Sequence, residues 1–327
     1  MDPAVRFVQE VAGLLRDADP GVRRVAVEAL GQMADEHHQA APKVHECVGQ
    51  MDEEGHHAPH VDAVATLLAD CDGGVRAAAA LALGKFRRKA LLHQVKLASL
   101  LRDSELQVRR ASAQSLAKVC DHRGMAQVAA HLRDLDPDAR IAAVEAFGEM
   151  GKVASDYAPN VASLLADSMG AVRCAAAGAL WRLGPSGIPH AVVLLQHSEE
   201  HAREAAAQAL GRMGSAAASG AAALLLQRSA AVRCAALDAL GAMGEAGSSQ
   251  VAAIAEELLA ARDEDTRQQR WTVRLGAVRA LTKMGAAGLP FAPRVALLLH
   301  DHQAHIRAEA AMLLAQLVVF NTELSCS

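Results

Sequence analysis

The chain has 327 residues, 33 Lys and Arg against 37 Asp and Glu, and a formal charge of −4 at pH 7, without the bias that draws a protein to nucleic acid or an anionic membrane. Hydrophobic residues make up 52% of it but aromatics only 2%, so the apolar content is small side chains and Leu: good helix formers and close-packing ones, with few rings to stack on bases. No apolar run reaches the roughly 18–20 residues of a membrane span, and six scattered cysteines (Cys47, Cys71, Cys120, Cys174, Cys234, Cys326) without a CxxC read as reduced thiols of a cytoplasmic, or at furthest nuclear, protein.

The opening stretch, MDPAVRFVQEV, has an early acid and no basic run, and does not read as a secretory signal. From residue 14 a pattern sets in. LLRDADPGVRRVAVEALGQM (14–33) is echoed by LLADCDGGVRAAAALALGKF (67–86), and the Arg after Val recurs at Arg23, Arg76, Arg109, Arg140, Arg173, Arg203, Arg233, Arg274 and Arg307. A period of about 30–33 residues, with two wider gaps, marks a solenoid of two-helix units. In most units the first helix, A, ends in a Leu pair such as Leu14–Leu15 or Leu194–Leu195. It often begins Ala-Pro-x-Val, as at 158–161 and 292–295, where proline costs no hydrogen bond. The second helix, B, follows a cap such as Asp136–Pro137. It carries small or apolar residues at −1, +3, +7 and +10 from the Arg, one helical face, and stops at a glycine such as Gly214 or Gly244. The expected fold is all-α: one solenoid of about nine two-helix repeats over 1–327, with insertions near 35–60 and 260–271.

These strings resemble HEAT repeats, closest to the short Ala-rich subtype shared with bilin-lyase-like proteins, over nearly the whole chain. The resemblance implies a right-handed α–α superhelix of the HEAT/armadillo kind whose B helices line a concave face, and it implies no single function. It also implies a ladder of hydrogen bonds between turn acids and helix-B arginines of neighbouring units. The matching acids are Asp17, Asp70, Asp103, Asp134, Asp167 and Asp301, set against Arg23, Arg76, Arg109, Arg140, Arg173 and Arg307; His197 and Gln227 interrupt the series, which weakens the expected ladder around Arg203 and Arg233. HEAT-like deoxyhypusine hydroxylases hold a di-iron centre with paired His-Glu motifs. This chain has one such pair, His45–Glu46, and that activity is not expected.

Function in a solenoid is sought where the pattern breaks. Within 35–60, His45, Cys47, His56, His57 and His60 are candidate metal ligands by chemistry, although the spacing matches neither HExxH nor CxxC–HxxxH; a solvated helix and loop is the alternative. GKFRRK (84–89) reads as a solvated cationic turn favoured by the helix dipole, or as an anion or phosphate contact or a weak nuclear-import signal. Trp181 replaces the glycine that other units hold at Gly31, Gly84, Gly148, Gly211 and Gly241; it either projects into the groove or fills a packing defect beside Gly178. Trp271, at the end of the second insertion, is a partner anchor or a core cover. HDHQAH (300–305) reads as a surface loop with metal-capable histidines. Near the C-terminus Leu313, Leu314, Leu317, Val318, Val319 and Phe320 exceed what one face of a last helix needs, which leaves a folded-back tail, docking or self-association through that end.

With −1, +3, +7 and +10 inward, +1, +5 and +9 of the B helices look outward: row +1 is partly apolar (Ile141, Cys174, Cys234, Leu275), and rows +5 and +9 carry the charges. They include Glu28, Gln114, Glu145, Asp238 and Arg279 in one row and Arg182, Arg212 and Lys283 in the other, with Trp181 beside Arg182. The charges are mixed, so the expected partner is another protein or a peptide, not nucleic acid, whose affinity rests on many phosphate contacts. No nucleophile–base pair, phosphate loop or cofactor motif stands out. The function expected is a non-enzymatic interaction scaffold. The alternatives are a chromophore-lyase-like accessory protein and a metal-binding protein acting through residues 37–60.

Overall fold

The computed structural model describes residues 3–36, 59–259 and 267–325, and the regular structure among them is entirely helical. It divides into two compact units, 1–157 and 158–327. In the first, A and B helices alternate as α1 (Pro3–Gly13), α2 (Pro20–Glu36), α3 (Pro59–Thr66), α4 (Gly73–Phe86), α5 (Gln94–Ser99), α6 (Leu106–Val119), α7 (His122–His131) and α8 (Pro137–Met150). In the second they continue as α9 (Ala158–Ser163), α10 (Gly170–Leu183), α11 (Ile188–Leu194), α12 (Glu200–Met213), α13 (Ser215–Ala223), α14 (Ala230–Met243), α15 (Val251–Glu257), α16 (Arg267–Met284), α17 (Ala292–Leu297) and α18 (Ala304–Ser325). Odd numbers are A helices and even numbers B helices.

The local chemistry explains each boundary. The Leu pair that closes an A helix tightens into a 3-10 turn, as at Leu67–Ala69 and Leu164–Ala166, which satisfies carbonyls the α-helix would leave open. The acid that follows ends the turn: Asp70 and Asp167 donate their N–H groups to Leu67 and Leu164. Their carboxylates then accept from the backbone two residues on, Asp72 N at 2.9 Å and Met169 N at 2.9 Å, a local side-chain turn of the kind short acids form. His197 does the same with Nδ1, taking the Glu199 N–H at 3.1 Å. Helix B is then capped, for example by Asp72 on Val75 N or Asp136 on Asp138 N.

Burial follows the expected stripe. Position +7 supplies Leu30, Leu83, Leu116, Phe147, Leu180, Leu210, Leu240 and Leu281, all without solvent exposure, and position +3 is mostly fully or nearly buried alanine. Small residues let B helices touch along their backbones. A Cβ on Gly31 would lie 3.1 Å from the Ala82 Cβ, and one on Gly211 only 2.6 Å from the Ala242 Cβ. Each B helix from α8 to α16 that ends in glycine does so eleven residues after its Arg in a backbone with positive φ, held by Gly151, Gly184, Gly214, Gly244 and Gly285. In α4 that position is Arg87, with φ 53° and ψ −125°.

Candidate partner-binding face

The repeat arginines are structural in a way the sequence only half showed. Arg23, Arg76, Arg109, Arg140, Arg173, Arg203, Arg233 and Arg307 each aim Nη1 at the two carbonyls six and five residues back, as Arg76 does to Asp70 O at 2.9 Å and Cys71 O at 3.1 Å. The guanidinium thus pins its own turn, whatever stands in the next unit. Its other nitrogens reach forward. Arg23 binds both carboxylate oxygens of Asp70 at 2.8 Å, and Arg76 binds both of Asp103 at 2.8 and 2.9 Å. Arg274 reaches Asp301 at 3.0 Å. Hydrogen bonding from Arg23 draws the Asp70 carboxyl below its usual range. Burial raises Asp103, but Arg76 and the Glu105 N–H outweigh it and the net shift is downward.

Two rungs differ from the expected pairing. Arg109 passes Asp134 and binds Asp138 at 2.7 Å, because Asp134 is engaged by Arg102 at 3.1 Å and His131 at 3.4 Å. Where the turn acids lapse, Arg233 lies 3.3 Å from Glu257 on α15, with both side chains buried. Glu257 was not singled out by the sequence because it belongs to an A helix, outside the turn position being compared.

The outward rows are solvent-facing. Glu28, Gln114, Trp181, Arg182, Arg212, Asp238, Arg279 and Lys283 are exposed and Glu145 is half-buried. Trp181 is 56% exposed. The space over Gly178 is taken instead by Arg212, whose Nη1 would lie 3.1 Å from a Cβ there, so a defect-filling role for Trp181 does not match the geometry. Each unit carries a cleft along these rows. In the first, about 400 Å³ is lined by Arg24, Glu28, Ala77, Leu81, Lys85 and Lys118 among others. In the second, about 430 Å³ is lined by Glu204, Cys234, Asp238, Trp271, Leu275 and Arg279 among others. Glu204, at +1, lies in one of the outward rows, and Trp271, three residues before Arg274, completes the cleft from outside them. The helical stagger brings −3, +1 and +5 onto one face, which places Trp271 with the outward rows.

Burial raises the Cys234 thiol, more than a hydrogen bond with Thr272 lowers it, so it stays protonated at neutral pH. Burial likewise pushes Cys120 up to about 12. Of the metal-ligand candidates His45, Cys47, His56 and His57 lie outside the described residues; His60 is half-buried, and burial lowers its pKa. Among the described residues no three His, Cys, Asp or Glu side chains gather as a metal site, the 300–305 histidines included, and no helix is long and apolar enough to cross a membrane.

The HEAT repeats family matches residues 61–148 and 157–231, the same two-helix units just described. The chain belongs to the HEAT-repeat superfamily. Its fold is therefore the all-α superhelical repeat fold, and solved HEAT arrays are similar over 95% of its length. These include the karyopherin Kap121p bound to the extreme C-terminus of the protein phosphatase Cdc14p (13% identity, TM-score 0.57), Kap121p bound to Nup53p (13%, 0.57) and Kap121p bound to Pho4p (14%, 0.56). The HEAT chain spans only 38, 37 and 37% of those karyopherin chains, and the likeness is one of fold. No curated protein matches the sequence.

Proposed function

We propose that this HEAT array is a non-enzymatic scaffold that binds a partner protein or peptide on the face formed by the outward rows of its B helices. The observation that carries the reading is the pair of open, largely apolar clefts along those rows, one in each unit, together with exposed Leu81 and Met312 in row +5 and exposed Trp181 beside Arg182. Isolated exposed apolar side chains need no explanation; clefts with a mostly apolar lining flanked by charges have the composition of a recognition surface. The karyopherins of similar fold are solved with protein partners, which supports the same class of use. A chromophore-lyase role needs an enclosed pocket with converging polar groups, which these clefts do not resemble. Metal binding rests on residues 37–60 and is tested by metal analysis of the purified chain against a His45/His56/His57/His60 variant. Exposed Val318 and Met312 on α18 keep self-association as part of the proposal.

Affinity capture from a lysate tests the main reading. Trp181→Ala with Arg212→Ala is expected to weaken partner capture by about tenfold or more, as removal of exposed Trp and Arg anchors does. Capture unchanged in that variant sinks the assignment of the face.

A further inference from the structure

The cleft in the second unit differs from its counterpart in the first in what its charges are already doing. Its cations are committed. Arg203 donates Nη1 to the carbonyls of His197 at 2.9 Å and Ser198 at 2.7 Å, and Arg279 pairs with Glu309 at 3.1 Å. Its carboxylates are not: none of Glu200, Glu204 and Asp238 has an ion-pair partner among the described residues. Between them lies an apolar floor of Ala235, Leu275 and Gly276. Trp271 lines the same cleft, its indole N–H fixed on Gln268 at 2.9 Å. In the first unit the signs are reversed. Glu28 lies 3.8 Å from Arg24, while Lys85 and Lys118 make no ion pair among the described residues.

Unpaired carboxylates over an apolar floor, walled by an indole, have a definite complement. A long basic side chain lays its methylenes on apolar surface and keeps its charged head among acids, and an indole attracts that same cation. A phosphate-bearing ligand is repelled by Glu204 and Asp238. We infer that the cleft lined by Glu204, Asp238 and Trp271 receives an arginine or lysine side chain from an apolar segment of the partner protein. This rests on the scaffold reading above. The electrostatics agree with it. Asp238 reaches solvent, yet the cleft walls strip part of its hydration and the nearby Glu204 charge adds to this, and together they outweigh the pull of Lys283 and Arg279; its carboxyl is raised. The ionised carboxylate is therefore held where its own surroundings disfavour it, a condition an incoming cation relieves and one typical of binding residues retained at a cost in stability.

The test uses the full chain and three fluorescein-labelled hexapeptides: one with an arginine between leucines, one with neutral citrulline in place of that arginine, and one with glutamate. Fluorescence anisotropy is expected to show saturable binding of the arginine peptide alone, weakening as salt rises from about 50 to 300 mM. In Glu204→Gln/Asp238→Asn the dissociation constant of the arginine peptide rises about tenfold or more. The same variant melts at or above the parent temperature at pH 7, which separates lost recognition from lost folding. Equal binding of the citrulline or glutamate peptide, an unchanged arginine constant in the double variant, or no arginine binding at all overturns the inference. If it is overturned while Trp181→Ala/Arg212→Ala still loses partner capture, the scaffold reading stands without this pocket; if capture is also unchanged, the face itself is wrong.

Discussion

Arg87 carries a conformation that its five counterparts entrust to glycine. Its φ of 53° and ψ of −125° put Cβ against the backbone, and that region is held almost only by glycine, at about 1–3 kcal/mol for other residues. Nothing in the fold repays it: Arg87 is exposed and makes no ion pair among the described residues. Glycine would instead add unfolded-state entropy, a loss of about 0.5–1 kcal/mol, so strain relief is the larger effect. Arg87→Gly is expected to stabilise the chain by about 1 kcal/mol, a rise of about 2–4 °C in melting temperature for a unit of this size. A lower melting temperature would mean that the Arg87 side chain holds something in place. The residue belongs to GKFRRK, where the sequence shows four cations and a helix end but not the backbone angle, because only the alignment of Arg87 with Gly151 and its equivalents exposes the conflict.

Helix against helix, the decisive quantity is the distance between B-helix backbones. Glycine inside a helix ordinarily costs about 1 kcal/mol relative to alanine, so Gly→Ala should stabilise wherever space allows. An alanine methyl at Gly13, in α1, would meet nothing within 4 Å, whereas one at Gly211, in α12, would press to 2.6 Å from Ala242. Thermal melts are expected to move in opposite senses: Gly13→Ala gains up to about 1 kcal/mol, and Gly211→Ala loses about 1–3 kcal/mol through overpacking. Stabilisation by both would show that α12 and α14 separate freely. At this scale much was legible. The −1, +3, +7 and +10 stripe named the buried face because an amphipathic helix in a stack has one solution, and the recurring Arg and Gly marked the start and end of most B helices from α8 on. What stayed hidden was tertiary. That Asp138 replaces Asp134 for Arg109, that Glu257 meets Arg233, and that Trp271 shares a cleft with Glu204 and Asp238 depend on which neighbouring helix faces which. A single period in one sequence carries no such term.

Individual carboxyls in the two units shift in opposite directions. In the first, Asp70, Asp103 and Asp134 are all depressed; in the second, Asp238 is raised. A carboxyl whose native pKa lies below its unfolded value of about 3.9 stabilises fully above that value, and the gain disappears as pH falls through the native pKa. A raised one does the reverse, and its folded form gains relative stability on acidification. Asp103 isolates the first effect. It accepts two bonds from Arg76 and one from the Glu105 N–H, and asparagine keeps the turn bond while removing the charge. The pair is neither freely exposed, where it would contribute about 0–1 kcal/mol, nor fully enclosed, where breaking it costs about 3–5 kcal/mol. Asp103→Asn is therefore expected to cost about 1–2 kcal/mol at pH 7, undiminished down to about pH 5 and shrinking as pH falls below the unfolded carboxyl value toward the lowered native one. Urea unfolding followed by circular dichroism at stepped pH measures the gap between variant and parent. A repeat array need not unfold in one step, so the first transition is the one to compare. A gap that persists unchanged to pH 2 would assign the Asp103 contribution to packing and turn geometry, and would remove charge from the account of how successive arginines hold this unit together.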